Sequence, residues 1–135
     1  MDKIAPELRS KVMASIKGKD TRPERAVRSL LHRMGYRFTL RNRKLPGSPD
    51  VCLPRWRAAV FVHGCFWHQH RSCRLARLPR SNLTYWKPKF KRNRKRDRSA
   101  LKALSRLGWR TLVIWECELY DLDSLVVRVT SFLKL

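Results

Sequence analysis

The chain predicts an α/β protein, a mixed sheet with helices against it in the order α-β-β-β-α-β-α. Three observations carry that expectation. Apolar residues recur at helical spacing in separate stretches bounded by capping residues or glycine, and short β-branched and aromatic runs lie between them. The third is size: 135 residues with 43% hydrophobic composition suffice for one core and crowd two. Residues 1–135 are therefore read as a single domain, with 1–19 as an N-terminal arm.

That arm is polar and basic, with Ile4, Leu8, Val12, Met13 and Ile16 spaced loosely on one helical face. A short docking helix and a segment gripping DNA fit it equally. Thr21-Arg22-Pro23-Glu24 is a capping box with proline in the first turn, where its missing N–H costs nothing. Val27, Leu30, Leu31 and Met34 follow at helical spacing and Gly35 supplies the stop, which predicts a helix over 22–34. Glu24 thus has a structural task, satisfying an orphan amide, beside any catalytic one.

Residues 36–40 predict a first strand, and 41–49 (R-N-R-K-L-P-G-S-P) a basic loop broken by proline and glycine. A second short strand over 50–53, a turn over 54–57 and an unbroken apolar strand over 58–62 follow. Residues 74–90 read as a long irregular segment, whose Tyr85 and Trp86 among Arg and Lys speak against simple disorder. Ala100, Leu101, Leu104 and Leu107 mark a basic helix over 93–107 ended by Gly108, and 109–115 is a fourth strand. Leu125, Val126, Val129, Phe132 and Leu133 make a closing helix after Asp121 and Asp123.

Charge narrows the partner. Lys and Arg number 32 against 10 Asp and Glu, a formal net charge of +22, with most of the basic residues lying between Arg9 and Arg110. Such an excess repels itself unless a polyanion neutralises it, so nucleic acid leads and an anionic membrane trails, no basic amphipathic helix standing apart from the core pattern. The N-terminus has no apolar signal region and no run approaches a membrane span, so the chain is read as cytosolic. In a reducing compartment its four cysteines suit metal ligation or burial better than disulfides.

Residues 60–73, V-F-V-H-G-C-F-W-H-Q-H-R-S-C, gather the chemistry: His63, His68, His70, Cys65, Cys73 and the rings of Phe66 and Trp67. Cys65-x4-His70-x2-Cys73 is chelate spacing. Cys117 completes a closed Cys3His zinc site if the fourth strand lies beside the third. Three buried thiols and an exposed histidine are the bland reading of the same residues. Cys52, mid-strand, reads as a core thiol, Trp109 and Trp115 as core, and Trp56 as turn packing.

Pro49-Asp50 at the head of a short strand, with an apolar strand about ten residues on, is the skeleton of a metal-dependent phosphodiesterase site. The places where a second acid and a lysine are expected hold Phe61 and His63, which leaves the Val62 backbone carbonyl and waters to complete a magnesium octahedron with Asp50. His63 and His68, spared by zinc, are candidates for general base and phosphate-orienting donor, or simply line the loop. His32, on the first helix, has no such role. Phe66, Trp67 and Trp86 are candidate wedges between base pairs.

Taken together, P-G-S-P-D (46–50), V-F-V-H-G-C-F-W-H-Q-H (60–70), Y-W (85–86), K-R-D (95–97), L-G-W-R (107–110) and V-I-W-E-C (113–117) resemble the very short patch repair (Vsr) DNA mismatch endonuclease family. The resemblance implies a restriction-endonuclease-like PD-(D/E)XK fold. It also implies a Mg²⁺-dependent nick 5′ of the thymine in T:G mismatches left by 5-methylcytosine deamination. By motif position Asp50 would be the metal carboxylate, His68 the general base, His63 an aid at the phosphate and Glu24 an acid near the site. Cys65, His70, Cys73 and Cys117 match the zinc ligands. Phe66, Trp67 and Trp86 match the intercalating rings, with Lys87 and Lys89 as DNA-binding neighbours. Where relatives often have Thr, this chain has Val62, whose carbonyl remains available. The implied partner is duplex DNA bearing a T:G mismatch, bound by a monomer in the cytoplasm at the nucleoid; mismatch-repair proteins stay open as further partners. Two alternatives compete: a duplex nuclease of the same fold indifferent to mismatches, and a non-catalytic zinc-stapled DNA-binding module.

Overall fold

Thr21 opens the first helix, its hydroxyl accepting the Glu24 backbone N–H at 3.3 Å, and Pro23 takes up the first turn of α1, Arg22–Arg33. In the computed structural model, which describes residues 21–78 and 81–134, there follow β1 (Thr39–Leu40), β2 (Val51–Leu53), β3 (Ala58–His63), α2 (Leu83–Arg106), β4 (Arg110–Trp115) and α3 (Leu122–Leu133). The order α-β-β-β-α-β-α is the one the sequence predicts. The arm expected over 1–19 lies outside the described residues. No helix among the described residues is long and apolar enough to cross a membrane.

The sheet runs β1-β2-β3-β4, antiparallel across the first two pairs and parallel between β3 and β4. Side chains alternate faces along a strand, and β3 feeds both. Ala58, Val60 and Val62 join Val27, Leu30 and Leu31 of α1 and Leu125, Val129 and Leu133 of α3 in the larger core. Ala59 and Phe61 pack on the other face against Leu104, Ala100 and Leu101 of α2. Helices on both faces explain why β3 is apolar without a break. The same alternation turns His63 toward α2.

Four expectations are corrected. The first strand is two residues long rather than five, because the short β2 offers β1 only two register pairs; Tyr36 instead packs edge-on to Trp56, ring centroids 5.3 Å apart. The irregular segment expected over 74–90 gives way to α2 from Leu83 onward, with Pro88 inside it. Pro88 removes one N–H early in the helix, and burial of Trp86 and Phe90 one turn apart offsets that loss. Trp86 therefore lies on a helix, only 5% exposed, and not on a loop. Trp115 leaves the core and stacks on His70, ring centroids 4.1 Å apart and planes within 9°. Trp109 packs beside the smaller core, and Cys52 is buried as expected.

Some of the positive charge is structural. Arg57 donates to the carbonyls of Leu107 and Gly108 beyond the C-terminus of α2, and Arg110 to that of Phe132 in the last turn of α3. The loop before β2 rests directly on α2. At Gly47 (φ +75°) an added Cβ would fall 2.6 Å from the Ala100 Cβ and 3.1 Å from Phe61, so only glycine fits the approach.

Candidate active site and metal centre

Parallel pairing sets His63 opposite Trp115, and two residues beyond each stand Cys65 and Cys117. The strands thus deliver one thiol each to the same place, and the loop after β3 returns His70 and Cys73 to it. Their ligand atoms all lie within 4.8 Å of one another. His70 Nδ1 stands 3.4 Å from Cys117 Sγ and 3.7 Å from Cys65 Sγ. These are the separations that two ligands of a tetrahedral zinc keep, with bonds of about 2.0–2.3 Å. Burial above all pushes the Cys65 thiol up to about 12, so the protein alone leaves it neutral and a soft cation there would make the thiolate tenable. Three sulfurs and an imidazole fit zinc.

A second group of side chains borders a cleft of about 380 Å³ between the end of β3, the Gly47 loop and α2; Asp50, Val62, His63, His68 and Asp97 are among its walls. Asp50 Oδ2 accepts the Val62 backbone N–H at 2.7 Å, where β2 has ended and no strand partner reaches. Asp50 Oδ1 and Glu24 Oε1 share one nitrogen of Arg41, at 3.0 and 3.3 Å. Burial first, and the charge of Glu24 after it, raise the Asp50 carboxyl to about 6; the Val62 amide, Arg41 and His68 pull the other way. A buried carboxylate still short of positive charge, beside a second acid, fits a hard divalent cation.

Asp97 enters the sequence reading only as the end of K-R-D (95–97), with no role assigned. Its Oδ2 lies 2.7 Å from His68 Nδ1. A carboxylate can only accept, so the proton in this contact sits on His68 Nδ1, and in the neutral ring Nε2 then keeps the lone pair. His63 stacks flat against His68, centroids 3.8 Å apart and planes within 2°, with its Nε2 4.0 Å from Asp97 Oδ1. Burial, then the neighbouring His68, lower His63 to about 4, which keeps it neutral at physiological pH. Its buried Nδ1 has no hydrogen-bond partner among the described residues. One signal could have found Asp97: it is the one acid between Asp50 and Glu116, set in a helix crowded with cations.

Phe66, Trp67, Tyr85, Trp86 and Phe90 form one packed group of rings. Phe66 lies edge-on to Trp67, Trp86 and Phe90 at 5.1–5.3 Å, and Trp86 stacks on Phe90. Phe66 and Trp67 are half-buried, whereas Trp86 lies beneath them. Lys89 holds its ammonium 5.4 Å from the centre of the Trp67 ring and Lys87 is exposed. Asn93 donates to the Trp67 carbonyl at 3.0 Å, and Asp97, one turn on, binds His68. Consecutive loop residues are thereby pinned to one face of α2.

Residues 1–75 match the protein family described as DNA mismatch endonuclease Vsr. The type II nicking enzyme V.XorIIP of Xanthomonas oryzae is 51% identical over 98% of this chain and 96% of its own length. The DNA mismatch endonuclease Vsr of Escherichia coli is 40% identical over 87% of this chain and 74% of its own. Among solved structures, the catalytic domain of the homing endonuclease I-Bth0305I is similar with a TM-score of 0.58, spanning 84% of this chain and 94% of that one. At 22% identity that likeness speaks for the fold alone, a restriction-endonuclease-like mixed sheet flanked by helices. By the family match and by its relatives, this chain belongs to the DNA mismatch endonuclease Vsr family and is a DNA endonuclease.

Proposed function

We propose that the protein nicks duplex DNA 5′ of the thymine in a T:G mismatch, starting very short patch repair. The observation that carries this reading is the Asp97–His68 pair, 2.7 Å apart and opening on the same cleft as Asp50. His68 takes the proton of the attacking water on Nε2, and the Asp97 carboxylate stabilises the imidazolium that results. His63, neutral and flat beneath His68, holds that ring in plane and meets the phosphate. Glu24 shares the cationic environment of Asp50 through Arg41.

Asp50 and the Val62 carbonyl would hold a magnesium ion, which supplies polarisation of the scissile phosphoryl oxygen. Cys65, His70, Cys73 and Cys117 would hold zinc, fixing the loop that carries Phe66, Trp67 and His68. Phe66 and Trp67 enter the base stack, Trp86 supports them from below, and Lys87 and Lys89 meet the backbone. The protein works as a monomer on DNA at the nucleoid; mismatch-repair proteins are candidate partners.

One finding favours a second reading. A relative 51% identical is named a type II nicking enzyme, not a mismatch enzyme, so a nicking activity with looser demands on the mismatch is the competitor. End-labelled T:G, T:A and C:G duplexes, incubated with and without Mg²⁺, separate the two. The first reading expects a single nick, in the thymine strand of T:G alone and only with the metal. Equal nicking of T:A would reject it in favour of the second.

A further inference from the structure

We propose that Arg41 is a displaceable counter-cation, seated between Glu24 and Asp50 until a divalent ion and DNA arrive together. This rests on Asp50 being the metal carboxylate.

Both oxygens of Asp50 are committed. Oδ2 accepts the Val62 amide at 2.7 Å, and Oδ1 faces Arg41 Nη2 at 3.0 Å. The same nitrogen reaches Glu24 Oε1 at 3.3 Å. A single positively charged atom therefore stands between two carboxylates. A hard cation bound to Oδ1 at about 2.0–2.1 Å would have to share that oxygen with a guanidinium of the same sign. The Val62 amide is fixed by the sheet and cannot leave, so the yielding partner is Arg41.

Its setting permits that. Arg41 lies just beyond the two-residue β1, in the loop leading to Gly47, and its side chain is 27% exposed against 8% for Glu24 and 12% for Asp50. A long stem rooted at the surface can swing its planar fork outward. The anion it would meet there is a phosphate of the bound duplex, which a guanidinium engages with two parallel hydrogen bonds. Release of the carboxylates to the metal and capture of the DNA backbone then become one event. Metal and DNA each favour the other, and in the absence of DNA the hydrolytic ion is held weakly. An endonuclease carrying so much positive charge meets DNA of every sequence, and an arginine that gives up the metal seat only to a seated phosphate ties activation to productive docking.

The test is a binding measurement. Zinc-loaded full-length protein is titrated with Mn²⁺, free Mn²⁺ being read by its electron paramagnetic resonance signal, alone and with a T:G duplex already nicked at the product position. Without DNA, Arg41→Met and Arg41→Gln are each expected to bind Mn²⁺ about tenfold more tightly than the wild type. Adding the duplex should tighten the wild type more than either variant, by about that same factor. Arg41→Lys, which keeps the charge, should stay near the wild type. Glutamine keeps a hydrogen-bond donor on a shorter, uncharged stem, so it covers the case in which methionine loosens the loop. If both neutral variants bind Mn²⁺ no better than the wild type, Arg41 is a fixed strut and the proposal is overturned. Asp50→Ala serves as the control for the underlying reading: unchanged Mn²⁺ binding there would remove Asp50 from the metal site, a different failure from that of Arg41.

Discussion

Two clusters sit at the same ends of β3 and β4, yet they are built on opposite principles. The Cys65–His70–Cys73–Cys117 group is soft, closed on itself and drawn from two thiols that the strands deliver in register and two side chains of one loop. The Asp50–His63–His68–Asp97 group is hard, open to a cleft and assembled from the Gly47 loop, β3, the following loop and α2. Trp115 touches both, flat on His70 and edge-on to His63 at 5.1 Å. A closed site spends its ligand strength on holding the chain together. An open one needs groups left partly unsatisfied, such as the Nδ1 of His63, which has no hydrogen-bond partner among the described residues.

The contrast breaks most visibly on the soft side. Cys117→Ala should abolish stoichiometric zinc binding and cost on the order of 5–10 kcal/mol of folding stability. Metal analysis with urea unfolding checks it, and a variant that keeps its zinc and its stability would show that the thiols are not ligands. On the hard side the fold should survive and the rate should not. Asp97→Asn is expected to lower kcat on the order of 10²–10³-fold with little change in KM, measured by single-turnover nicking of a T:G duplex. An equal loss in KM would instead place Asp97 in DNA binding.

The next effect has a pH signature. Asp50 is raised from 3.8 to about 6 in the fold, so the folded state holds this proton more tightly than the unfolded chain does. Its stabilising share is present at low pH and is lost as pH climbs through the folded value. In magnesium-free solution Asp50→Asn should therefore be more stable than the wild type above pH 6, by roughly 3 kcal/mol, with about half of that gain developed near pH 5. Paired urea melts across this range decide it; a gain that ignores pH would mean that desolvation of the charge is not what shifts Asp50. The smallest effect belongs to the rings. Trp67→Ala should weaken discrimination of T:G from T:A by roughly 1–3 kcal/mol while the Cys–His cluster and the Asp50 cleft stay intact. Competition binding on the two duplexes would expose unchanged discrimination and with it the absence of a wedge.

The two clusters also differed in how readily they could be read from sequence. Cys65, His70 and Cys73 lie within nine residues of one another, and Cys117, two residues past β4, joins them on the one condition that β4 lie beside β3. Short-range chelate spacing and strand pairing are patterns a linear chain displays. Asp97 stands 29 residues from His68 on a helix whose start Pro88 conceals, and Arg41 is one of three cations in R-N-R-K. A lone acid among cations is the one mark Asp97 bears and Arg41 bears none; only the docking of α2 and of the 41–49 loop brings them to Asp50 and His68. The fold order was legible because amphipathic period and turn residues agree along most of the described residues, the start of α2 excepted. Trp86 and Trp115 were misplaced because a ring's surroundings depend on neighbours far away in the chain.

The contact of Gly47 with Ala100 has an evolutionary corollary. It is the point where the segment bearing Asp50 leans on the helix bearing Asp97, with no room for one more carbon atom. A bulkier residue at either position would act as a shim, spreading the carboxylate away from the imidazoles. Descendants of this chain can therefore redraw the cationic surface or the ring cluster piecemeal, whereas position 47 holds glycine for as long as Ala100 and Phe61 stay where they are.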